Sequence, residues 1–275
     1  MRRLTLLFTC AACLWSGAEA LAQGLVWYLP EDGSWVRYEG TYTQVMRRPQ
    51  STEGDLTLEW QRNLEIKSVG REEATHDLDH DGQEVTEPCR WLEFKVVTGK
   101  IVEGIPDAGP GAIVIYKVLV PESAIDGTMF DREGILKSYL PVVKGYRKLG
   151  DEPAQPLAAG VLQAYPNLSL LRHYRELETA ASNQTAQVPK LGEVSGELVR
   201  GSTVTETGTQ RSRNAAEFLR SEQMLFGLVK WKASTVTEQK NLVEPRSQFE
   251  ESVELTEELT AVDSGTGAES ELVTE

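Results

Sequence analysis

From Leu56 to Lys67 the chain reads Leu-Thr-Leu-Glu-Trp-Gln-Arg-Asn-Leu-Glu-Ile-Lys. Leu56, Leu58, Trp60, Leu64 and Ile66 share one parity, interrupted only by Arg62, while Thr57, Glu59, Gln61, Asn63, Glu65 and Lys67 share the other. Successive side chains of a strand point to opposite faces, so this pattern predicts a long strand with one apolar and one wet face. A helix would mix the two sets around its surface. The chain then passes through Asp77-Leu78-Asp79-His80-Asp81-Gly82 and returns as Cys89 to Val96, with Leu92, Phe94 and Val96 again on one parity. The pattern predicts a hairpin of long antiparallel strands.

Its neighbours extend the sheet. Trp35 to Tyr42 places Val36, Tyr38 and Tyr42 on one face, and Ile113 to Val120 is β-branched and apolar on nearly both faces, as in a deeply buried strand. Together the four make an antiparallel meander. Further strands are predicted at Gly192 to Val199 and at Leu225 to Ala233, the latter with Val229, Trp231 and Ala233 on one parity. Helices are expected from Asp131 to Tyr139, from Leu168 to Leu177 (Leu170, Leu171, Tyr174 and Leu177 recur at helical spacing) and around Ala215 to Leu219. The fold class is therefore mainly β (α+β): a curved antiparallel sheet or open half-barrel with a few packed helices. One domain spans residues 23–243, with a helical insertion near 131–180.

Both ends differ from this body. Arg2-Arg3, the apolar run Leu4 to Trp15 and Ala20-Leu21-Ala22 have the form of a signal peptide over residues 1–22, with cleavage before Gln23. That makes the protein exported, to the periplasm or the extracellular space, with no transmembrane segment after cleavage. Lipid anchoring through Cys13 is the rival reading. Cleavage leaves Cys89 alone, so no internal disulfide can form and stability must come from burial. Residues 244–275 hold ten acidic residues against one arginine and few aromatics, which reads as a largely disordered acidic tail, with a short helix near Glu250 to Leu259 as an option. The chain carries a net charge of −14, which argues against nucleic acid and anionic membranes as partners.

Asp77, Asp79, Asp81 and Gly82 match the first half of a calcium loop, in which alternate carboxylates curl around a hard cation. The second half fails, because Pro88 stands where a bidentate glutamate belongs, and His76 and His80 could instead serve a softer metal. The competing reading is a solvated hairpin turn. Asp263-Ser264-Gly265 has the form of an aspartic-protease turn but lies in the expected tail. Serine-nucleophile, zinc-helix, phosphate-loop and dinucleotide motifs are not found, and three histidines supply a triad poorly.

Long strands such as Leu56 to Lys67 and Cys89 to Thr98, each with an apolar face, resemble those of periplasmic lipoprotein-carrier-like half-barrels and of uncharacterised exported bacterial proteins. The likeness is one of pattern over Trp35 to Ala233, and no family motif accompanies it. It implies an apolar cavity lidded by helices. On that basis the first expectation is a non-catalytic binding or carrier module for an apolar ligand, a lipid or acyl chain, with Trp60, Phe94 and Trp231 lining the concave face. The alternatives are a structural or protein-interaction module of the cell envelope, and a calcium-stabilised envelope protein.

Overall fold

The computed structural model describes residues 26–77, 83–102, 105–107, 113–125, 142–157, 163–164, 168–169 and 176–273. The strands are β1 (Trp35–Met46), β2 (Leu56–His76), β3 (Val85–Val102), β4 (Ile105–Asp107), β5 (Ile113–Pro121), β6 (Lys144–Leu149) and β7 (Gln155–Pro156). They continue as β8 (Gln163–Ala164), β9 (Leu168–Ser169), β10 (Glu176–Val188), β11 (Gly192–Glu206), β12 (Gln210–Arg220), β13 (Leu228–Gln239) and β14 (Glu250–Gly265). Eleven of them form one open antiparallel sheet in the order β10-β11-β12-β13-β14-β1-β2-β3-β5-β6-β7. Short β4 pairs with β3, and β8 pairs with β9.

The meander β1-β2-β3-β5 lies in the sheet in the order that its alternation predicts. Cross-strand rows on one face are apolar. Val36, Ile66, Phe94 and Tyr116 stand opposite one another across four strands, and Phe218, Trp231 and Leu259 across three. These rows merge into one cluster, to which Val26, Trp27, Ala124, Ile125, Met224 and Phe226 add from outside the strands. The segment carrying Val26 and Trp27 is pinned on this cluster. The Trp27 amide donates to the Phe226 carbonyl at 2.8 Å, and the Trp27 and Phe218 rings meet edge to face with centroids 6.4 Å apart.

Several expectations are corrected. Among the described residues there is no α-helix, only three-residue 3-10 turns, so the few packed helices of the predicted fold class are not found there. Ala215 to Leu219 lies inside β12, where Ala216 and Phe218 join the apolar cluster and Phe218 stands opposite Trp231. The expected helix from Asp131 to Tyr139 and the signal peptide lie outside the described residues, as does most of the second expected helix, whose Leu168–Ser169 pairs as β9.

The largest correction concerns residues 244–275. Glu250–Gly265 is a sixteen-residue strand in the middle of the sheet, hydrogen-bonded to β13 on one side and β1 on the other. Acidic composition alone misled. Leu255, Leu259 and Ala261 reach the apolar face, while Glu254 and Glu258 point to the opposite one. Residues 266–273 then cross the polar face as a strap, anchored where the Ala268 amide donates to the Gly33 carbonyl at 2.8 Å.

Candidate functional site

Trp60, Phe94 and Trp231 all project to the apolar face. Phe94 and Trp231 lie inside the apolar cluster, 0% and 2% exposed, and Trp60 is half-buried beside Tyr42, with ring centroids 5.6 Å apart. Between them runs a row that alternation alone leaves unexplained: Trp231, Leu259, Gly40, Arg62 and Thr98, opposite one another on β13, β14, β1, β2 and β3. Arg62 is 1% exposed. Its guanidinium lies 3.9 Å over the Tyr42 ring, donates from Nε to Thr98 Oγ1 at 3.0 Å, and forms a short ion pair through Nη1 with Glu257 on β14. Trp231 Nε1 donates to the other oxygen of Glu257 at 2.8 Å. Glycine at position 40 makes room, since a Cβ there would overlap the Glu258 carbonyl. The two buried charges thus face each other and hold further partners of matching chemistry, which is the condition under which such a set is tolerated.

The opposite face is charged in a regular way. Glu178, Arg200, Glu217, Lys232 and Glu258 stand in one row across β10 to β14, alternating in sign, with Arg200 2.8 Å from Glu217 and Lys232 3.8 Å from Glu258. Opposite charges on directly facing strand positions attract weakly at an exposed surface and fix register. The adjoining row is Ser202, Ala215, Ser234 and Thr256, all small. Beyond it Glu254 closes the far side. The β10–β11 turn is brought onto β14, with Lys190 Nζ 2.5 Å from Asp263 Oδ2. Small side chains beside the charged row leave a trough of about 830 Å³, with Ser202, Ala215, Ser234 and Thr256 as floor and Glu178, Arg200, Glu217, Lys232 and Glu254 as rim. Phe94, Trp231 and Trp60 do not line it.

No protein-family model matches this chain, and no curated protein is significantly similar to it. The site is therefore read from its own chemistry.

Of the metal candidates, Asp77 is described, and Asp79 and Asp81 lie outside the described residues. His76 is engaged across the hairpin, with Nε2 3.1 Å from Glu87 Oε1. Among the described residues there is no group of three or more His, Cys, Asp or Glu arranged to hold a metal. Asp263, of the protease-like turn, lies near the end of β14 and pairs with Lys190, which holds its carboxyl below the usual range even though burial opposes this. Cys89 is buried, and that burial pushes its thiol up, so it is a small core residue rather than a nucleophile. Among the described residues, no helix is long and apolar enough to cross a membrane.

Sequence reasoning missed the trough because its floor carries no marked residue type. The row is a property of register between successive strands, which the alternation within any one strand does not specify.

Proposed function

We propose that this protein is an exported, non-catalytic interaction module of the cell envelope, and that the trough over β10 to β14 holds an extended peptide bearing charges of both signs. The observation that carries the reading is the trough's build: a floor of small, mostly hydroxylated residues beside one row of alternating charge, with Glu254 on the far side, enclosing about 830 Å³. A cavity kept open in a sheet whose other face is tightly filled favours occupancy by a ligand, since filling the floor with larger apolar side chains would add burial. Export is supported by the basic, apolar and small-residue pattern of residues 1–22.

The test is binding to an array of immobilised mixed-charge peptides, comparing the natural chain with Ser234→Trp. The indole would occupy the floor without touching the apolar face. Retention of a defined peptide set, weakened at least about tenfold by the substitution, supports the reading. No retained peptide, or equal retention by both proteins, rejects it.

Carriage of a lipid or acyl chain is the second reading, favoured by the half-buried Trp60 at the end of an aromatic row with Tyr42. A stoichiometric lipid in an organic extract of the purified protein would support it, and an extract without lipid would reject it.

A further inference from the structure

The strap of residues 266–273 adds no strand to the sheet, yet its contacts are highly specific. Beneath it Lys67, Glu93 and Lys117 stand in one row across β2, β3 and β5, with Lys95 beside them. The Glu93 carboxylate is fully buried and faces the strap. It accepts hydrogen bonds from Ser270 Oγ at 2.7 Å, from the Glu271 amide at 3.1 Å and from the Leu272 amide at 3.1 Å. Lys67 and Lys95 grip the two oxygens of Glu271 at 2.5 and 2.6 Å. Lys117 donates to the Leu272 carbonyl at 3.1 Å, and the Leu272 side chain is buried.

This is a peptide-recognition site. A carboxylate that receives two consecutive backbone amides and a serine hydroxyl reads a bent main chain, and two ammonium groups select an acidic side chain beside a buried aliphatic one. The sequence read is Ser-Glu-Leu. The occupant is tethered by Gly265 and Gly267, and at Gly267 φ is +81° with no other atom within 4 Å of where a Cβ would stand. Such a joint can redirect the strap without disturbing β14.

We propose that the strap is exchangeable, and that the site formed by Lys67, Glu93, Lys95 and Lys117 accepts the Ser270-Glu271-Leu272 segment of a second copy of this chain. Every copy carries both the site and its matching sequence, so exchange is reciprocal and closes a two-fold dimer. At low concentration the tethered strap wins, because its effective concentration is on the order of millimolar.

The test removes that advantage by charge reversal. Lys95→Glu weakens the site for its own Glu271, and Glu271→Lys weakens the strap for its own lysines. When the two variants are mixed, both exchanged contacts become complementary. Sedimentation velocity should show each variant alone as a monomer and the mixture as a dimer, with at least a tenfold tighter association than either alone. A mixture that stays monomeric overturns the proposal. A second measurement uses the natural chain, in case a variant does not fold. Hydrogen exchange at the Glu271 and Leu272 amides should proceed by local opening, insensitive to low urea, while the Phe94 amide exchanges only with global unfolding. Exchange of the strap amides solely with global unfolding also overturns it.

Discussion

Arg62 and Glu257 form a buried ion pair across the intervening strand β1, although 195 residues separate them in sequence. Each interrupts the apolar alternation of its own strand, and each interruption is answered by the other. Glu257 also accepts the indole N–H of Trp231, so one carboxylate ties β2, β13 and β14 together.

Removing either partner should leave an uncompensated buried charge. Arg62→Met or Glu257→Gln alone is expected to cost about 3–5 kcal/mol in urea unfolding. The double variant should cost less than the sum of the two, because glutamine still offers an acceptor to Trp231 and no charge remains. An additive double variant would mean that the two residues act separately.

Acid should loosen the strap through Glu271. Burial alone would raise its carboxyl, but Lys67 and Lys95 hold it below the ordinary value of 4.5. The stabilisation is therefore complete above about pH 4.5 and disappears as pH falls through the lowered value in the folded state. Thermal melting of Glu271→Gln should accordingly differ from the natural chain at pH 7 and converge with it well below pH 4. Lys67 gives the mirror image. Burial would lower it, but Glu271 and Glu65 raise it above its ordinary 10.5, so its contribution holds below that pH and is lost as pH rises through the raised value.

Gly227→Ala should undock the segment that carries Trp27. The backbone at Gly227 has φ +82°, and a Cβ there would lie 2.7 Å from the Trp27 Cβ. Left-handed geometry costs a non-glycine residue about 1–2 kcal/mol before any clash is counted. The expected result is a lower urea midpoint together with red-shifted tryptophan emission.

Cys89 should resist a thiol reagent such as Ellman's in the native protein and react at once in concentrated guanidinium, where its burial and raised pKa are both lost. Rapid reaction of the native chain would place Cys89 at an opening in the sheet.

Much of the sheet is legible in the sequence because β1, β2, β3 and β5 pair with sequence neighbours, and each carries an apolar row of one parity. β14 was hidden by its glutamates. Its alternation is present in Val253, Leu255, Leu259 and Ala261, but Glu257 breaks it where an apolar residue would have completed the signal. Arg62 breaks β2 in the same way. Two opposite charges in otherwise apolar rows were the available clue that the strands lie close. Neither the trough nor the strap site had any such clue. Their residues are ordinary surface types, and only the pairing register between strands collects Ser202, Ala215, Ser234 and Thr256, or Lys67, Glu93 and Lys117, into rows.

The placement of β14 also sets an order of events in time. Among the described residues, the last strand in sequence is the one that joins β13 to β1. Until it has been synthesised, the two halves of the sheet present unpaired edges at β1 and β13, which invite aggregation or capture by a chaperone. Its pairing with β1 closes a loop of roughly two hundred residues, an entropically slow step. The sheet thus stays in two separate halves until β14 is available to join them.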